Sequence, residues 1–195
     1  MSFSLALQTA PAFAAISTAD AKAWLKVDTS DDDTLIDALV AAAVAACEAE
    51  TARVLCASTW VLRLDGFPCG GAALVLPVAP VSSISSVKYY DADNVLQTWS
   101  PTAWEADLNS LPPRLRPVLN APWPAARDRF GAVEITLVAG YASAAAIPPS
   151  LLQAVRFILS HLHENRMAVL VGVGAQELPL GAQMLLSGWR LPWLG

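Results

Sequence analysis

His161, Leu162, His163 and Glu164 come closer than any other stretch of the chain to a catalytic metal site. Two imidazoles and a carboxylate can hold zinc for hydrolysis, but only when the ligands share a helix face at a spacing of three or four residues. These histidines stand two apart, about 200° around a helix, and cannot chelate one ion without a kink. One packed and one solvated histidine is the preferred reading. Asp31, Asp32 and Asp33 are a second cation candidate. The glycine and distal glutamate of a calcium loop are missing, and carboxylates after Ser30 suit the positive end of a helix with Ser30 as its N-cap. Cys47, Cys56 and Cys69 are odd in number and lack C-x-x-C spacing, so they read as reduced core thiols of a cytoplasmic product. There is no nucleophile elbow, P-loop or dinucleotide fingerprint, and Gly172 and Gly174 lack the third glycine of the last. Asp65 and Glu105 have no motif to make them a catalytic pair. The residues assign no catalytic, cofactor-binding or metal site.

Composition narrows the classes further. A length of 195 residues suggests one domain, or one with a sizeable insertion. The chain is 55% hydrophobic and 15% charged, against about 25% charged in ordinary soluble proteins. That leaves many apolar side chains to bury, and seven Trp suggest that subunit interfaces take some of them. A net charge of −5 and a pI near 4.9 exclude a close-fitting nucleic-acid binder, apart from local basic patches around Arg114 and Arg116 and around Arg127 and Arg129. Residues 1–15 mimic a signal peptide, but no basic residue precedes Lys22, and Gln8, Thr9 and Pro11 break the apolar run; no export is expected. The alanine-rich run 38–47 is too short to cross a bilayer.

The elements that must position these residues begin with a long helix over 148–166. Pro148 and Pro149 fit its first turn, Leu151, Val155, Ile158 and Leu162 form its stripe, and Arg166 suits its negative end. Ser17 opens a first helix that ends near residues 26–28, and a second runs from Ser30 to about Arg53 with Ile36, Val40, Ala43 and Cys47 at helical spacing. From residue 55 the period becomes that of strands: 59–65, 73–76, 84–90, 95–99, 104–108, 114–118 and 133–138. A turn at Asp91, Ala92, Asp93 and Asn94 makes the best hairpin. Strands between helices predict an α+β fold: a helical bundle of two N-terminal helices (1–54), an inserted antiparallel β lobe (55–141), then the long helix and a short C-terminal one (142–195). The last segment carries Leu178, Leu180, Met184, Leu185, Leu186, Trp189, Arg190 and Trp193 after a Gly172 and Gly174 hinge. A lone short helix is marginal in water, so this one is expected to be a docking element that orders fully only against neighbouring molecules, the alternative being that it packs back on its own bundle.

The landmarks in order are Asp20-Ala21-Lys22-Ala23-Trp24-Leu25-Lys26-Val27-Asp28 with Asp31-Asp32-Asp33, Thr59-Trp60 with Leu64-Asp65-Gly66-Phe67-Pro68, and Val87-Lys88-Tyr89-Tyr90-Asp91-Ala92-Asp93. Ala139-Gly140-Tyr141, Ile147-Pro148-Pro149, His163-Glu164-Asn165-Arg166 and Glu177-Leu178-Pro179-Leu180-Gly181 follow. Their order resembles the head–tail connector, or adaptor, proteins of tailed phages that carry a β lobe in a helical bundle, and the equivalent proteins of gene transfer agents. Asn94 stands where the family tends to have glycine, and His161-Leu162-His163 where an aromatic commonly precedes Glu-Asn. The resemblance implies a non-enzymatic virion protein of the neck, assembled in the host cytoplasm. It implies a ring, usually dodecameric, between the portal protein and a stopper or tail-side protein, with DNA passing through unrecognised and no membrane. The competing readings are a metal-dependent enzyme using His161, His163 and Glu164, and a cytoplasmic module with the β lobe as ligand site.

Replacing His161 or His163 by Gln is expected to leave particle production unchanged, counted as assembled particles per cell. Lost production with folding and ring formation intact would restore the catalytic reading.

Overall fold

The structure is a computed structural model and describes residues 3–165 and 178–192. The described residues are α+β, with strands β1 (Phe3–Thr9), β2 (Ser58–Leu64), β3 (Leu74–Val75), β4 (Val81–Tyr90), β5 (Leu96–Trp99), β6 (Trp104–Asp107), β7 (Arg114–Pro117) and β8 (Val133–Ala139). The helices are α1 (Thr18–Leu25), α2 (Asp33–Thr51), α3 (Pro149–Glu164) and α4 (Leu180–Ser187). They separate into two compact units, residues 1–12 with 56–141 and residues 13–55 with 142–195. The expected N-terminal helical segment 1–54 is therefore corrected at its start. Phe3, Leu5 and Leu7 alternate with Ser4, Ala6 and Gln8, which is strand period, and the segment joins the β unit as β1.

The β unit contains a five-stranded antiparallel sheet in the order β1-β2-β8-β4-β5 and a three-stranded one in the order β3-β7-β6. β8 lies at the centre of the larger sheet because its alternation is complete: Val133, Ile135, Leu137 and Ala139 are buried while Glu134, Thr136 and Val138 are half-buried. Leu62 and Leu64 from β2 and Val87 from β4 stand opposite Ile135, Val133 and Ile135 and complete the buried face. The hairpin at Asp91 forms as expected. Its carboxylate accepts the backbone N–H groups of Asp93 (3.0 Å) and Val95 (2.9 Å), and Asn94 takes φ +63, which asparagine tolerates nearly as well as glycine.

The helical unit is built on apolar stripes. Ser17 Oγ accepts the Asp20 N–H (3.1 Å) at the start of α1, and Lys26 ends it in the left-handed region. α2 buries Ile36, Val40, Ala43, Cys47 and Thr51, one face of a helix. Its N-cap position is taken by Asp32, not Ser30, whose carbonyl instead accepts the Asp33 N–H (3.3 Å). The acidic first turn binds α1, with Lys22 Nζ 2.7 Å from Asp33 and Thr18 donating to Asp37 at 2.6 Å. α3 buries Leu151, Ala154, Val155, Ile158 and Leu159 and packs against both α2 and α4. Trp24 donates from Nε1 to Ser160 at 2.8 Å and holds α1 to α3. Arg166, expected in the last turn of α3, lies outside the described residues.

Cys56 and Tyr141, the first and last residues of the longer β stretch, pair as an isolated bridge, and Ala57 N–H donates to the Tyr141 carbonyl at 3.0 Å. Gly140 takes φ +110, and a Cβ there would stand 2.6 Å from the Cys56 carbonyl carbon and oxygen. Gly140→Ala is expected to lower unfolding stability by about 3 kcal/mol in urea titration, through both clash and backbone strain. Gly66→Ala, where nothing lies within 4 Å, should cost less than about 1 kcal/mol.

Candidate functional surfaces

The residues that suggested chemistry are built into the framework. His161 and His163 lie in the last turn of α3. Asn165 closes that turn, donating to the His161 carbonyl at 3.0 Å with its amide 3.2 Å from the ring Nδ1. Among the described residues no three His, Cys, Asp or Glu converge on a point that could hold a metal ion. Asp65 accepts the Gly131 N–H at 3.0 Å and so closes a turn. Cys47 and Cys56 are buried and Cys69 is exposed, so the expectation of three core thiols is corrected at Cys69, which sits in a short 3-10 turn with Gly70 and Gly71.

Both arginine patches make contacts within the chain, but among the described residues only the first is paired with carboxylates. On β6 and β7, Glu105 stands opposite Arg116 and Asp107 opposite Arg114. These four, with Ala73 and Ala106, line a cleft of about 320 Å³. Hydrogen bonds from the Ser110 hydroxyl and from Arg114 hold the Asp107 carboxyl well below the usual carboxylate range. Arg127 donates to the Ala92 carbonyl (2.9 Å), while Arg129 donates to Asn94 (2.9 Å) and lies 4.1 Å over the Tyr90 ring. The Arg114 and Arg116 charges are thus compensated by carboxylates, while Arg127 and Arg129 keep theirs. Nearby, Phe67 stacks on Trp123 at 4.7 Å, with Tyr89 edge-on to Phe67 and Trp99 tilted against both rings. The cluster pins the proline-rich loop, whose Trp123 donates to the Ala72 carbonyl at 3.1 Å.

The C-terminal segment is the surface with features left over. Residues 178–192 are fastened to their own unit. Arg53 donates from Nε to the Trp189 carbonyl (2.6 Å) and lies 5.1 Å over its ring, and Trp189 Nε1 donates to Ser150 (3.0 Å). Arg190 pairs with Glu50, and the Leu191 N–H donates to the Thr51 carbonyl (3.2 Å). Leu186 is fully buried, so among the residues expected to dock it belongs to the core instead. Leu178, Leu185 and Trp189 are half-buried and Arg190 is exposed in its ion pair. Leu180 and Met184, one turn apart on α4, are 73% and 70% exposed and form the open apolar face. Trp193, Glu177 and the expected hinge at Gly172 and Gly174 lie outside the described residues. Sequence reasoning missed Glu50, Thr51 and Arg53 as the receptors; a lone cation two residues beyond α2 was the available signal.

No family model and no curated protein matches the sequence. Solved structures do. The chain is similar to one in the neck of an empty GTA particle computed with C6 symmetry, at TM-score 0.80 and 30% identity over 96% of this chain and 95% of that one. A chain of the virion of a native gene transfer agent particle gives TM-score 0.79 and 29% identity over 95% and 94%. One from the neck of a native GTA particle computed with C12 symmetry gives 0.70 and 28% over 94% and 95%.

The buried Cys47 gives this unit a pH signature. Burial first, and the neighbouring Glu48 carboxylate second, push its thiol from 9.0 up to about 12. Between those values the unfolded chain has released a proton that the folded chain keeps. The unfolded state then binds fewer protons, so stability falls as pH rises. The slope approaches about 1.4 kcal/mol per pH unit. Chemical denaturation of wild type and Cys47→Ala across this range should show the difference between them shrinking as pH rises.

Proposed function

The chain belongs to the family of gene transfer agent neck proteins, and we propose that within such a neck it is the adaptor between the portal and the stopper or tail. Its place in a particle neck and its structural, non-enzymatic character follow from neck proteins matched over nearly their whole length. That full-length similarity is the observation that carries the adaptor reading too. In this reading copies form a ring that extends the DNA channel, in a gene transfer agent or an infectious phage. A ring of twelve obeys both a twelve-fold and a six-fold operator, the two symmetries of the similar necks. The helical unit serves as the bundle that meets the portal. A net charge of −5 suits a channel wall, because a basic lining would hold the phosphates of moving DNA.

The portal contact is assigned to α4. Its anchors fix the helix on its own unit, and Leu180 and Met184 are the apolar side chains left open. Leu178, Leu185, Trp189 and Arg190 flank them, and Trp193 extends the apolar run beyond the described residues.

Heads made without this protein are expected to carry a portal and no tail; tailed heads would sink the adaptor reading. Leu180→Asp with Met184→Asp should leave the thermal midpoint within about 3 °C. The same pair should reduce co-sedimentation with portal-containing heads about tenfold or more. Wild-type retention would remove α4 from the portal contact.

A further inference from the structure

β1 presents a surface that docking through α4 does not use. Among the described residues it is an edge of the five-stranded sheet, paired with β2 alone. The register sets Phe3 opposite Leu64, Leu5 opposite Leu62 and Leu7 opposite Trp60. Directly opposed residues share a face, so Phe3, Leu5 and Leu7 prolong the face that carries the buried Leu62 and Leu64. Burial follows only in part: Leu5 is half-buried, while Phe3 is 55% and Leu7 49% exposed. Natural edge strands are guarded by charge, proline or a bulge. Phe3–Thr9 holds no charge and no proline, and its irregularity falls at the end, between Leu7 and Thr9.

Charge decides what can cover such a strip. Residues 1–19 carry no charged side chain, in a chain of net charge −5. Two copies repel through their overall charge, and a neutral apolar segment lets them touch without bringing carboxylates together. A partner of opposite charge would find nothing to pair with here.

We infer that β1 is a subunit contact: its apolar face and free edge seat a second copy of this chain in the ring. The inference rests on the ring reading given above. Cyclic rings of this kind use heterologous contacts, so β1 meets a different surface on the neighbouring copy; β1 paired with β1 would close at a dimer.

Hydrogen exchange by mass spectrometry on the full wild-type chain, as monomer at low concentration and as ring at high concentration, tests this directly. Amides of residues 3–9 should exchange about tenfold or more slowly in the ring. Phe3→Thr with Leu7→Thr keeps strand propensity and should raise the concentration for half-assembly, followed by mass photometry, about tenfold or more. Ser4→Thr with Gln8→Thr, on the opposite face, should stay within about twofold of wild type. Equal exchange at residues 3–9 in monomer and ring overturns the inference and leaves the ring reading standing. So does wild-type assembly by the Phe3 and Leu7 variant. A wild-type chain that forms no ring at any concentration overturns the ring reading and the inference with it.

Discussion

The close approach of Gly140 to the backbone of Cys56 is the constraint on which the β unit depends. The chain enters this unit for the second time at Cys56 and leaves it at Tyr141, and those two residues are bridged side by side. Only a residue without a Cβ allows the approach. The pairing sets the start of β2 beside the end of β8, Ser58 opposite Ala139, and the antiparallel register then runs unbroken to Leu64 opposite Val133. With β8 so placed, β4 takes its other side and the apolar face closes over Leu62, Ile135 and Leu137. A long excursion of chain can thus begin and end at one point.

The low charge content acquires a physical meaning in this frame. Arg63 and Glu134, Arg114 and Asp107, Arg116 and Glu105, and Arg190 and Glu50 are spent on pairs within the chain. Exposed pairs of this kind contribute little stability, but they leave fewer free cations on the surface. Apolar side chains remain uncovered beside these pairs, among them Phe3, Leu7, Leu119 and Phe130 on the β unit and Leu180 and Met184 on the helical one. Exposed apolar surface is in general where proteins meet their neighbours.

Much of the fold was legible because its signals are periodic and local. Val133 to Val138 alternates, Leu151 to Ile158 repeats at helical spacing, and Asp91 to Asn94 is a turn by composition; each forms as read. β1 was missed because a neutral apolar start also matches a signal peptide, and Pro11 and the alanines around it hid the alternation before Thr9. The seat of α4 was not legible either. It depends on Arg53 reaching the Trp189 carbonyl and on Thr51 receiving the Leu191 N–H, contacts between distant positions that leave no period in the sequence. The histidine spacing was informative in the negative sense, since two residues apart on α3 prevents a shared ligand.

The side-by-side entrance also sets how the β unit bears load. Tension applied at Cys56 and Tyr141 pulls the adjoining ends of β2 and β8 apart, perpendicular to the strands. The hydrogen bonds between them are then stressed one after another, as in a zipper, rather than all together as in shear. The same geometry that lets the excursion close at a single point makes that point its mechanically soft one. Force travelling along the backbone between the flanking helices meets the bridge at Cys56 and Tyr141 before it reaches any other bond of the sheet.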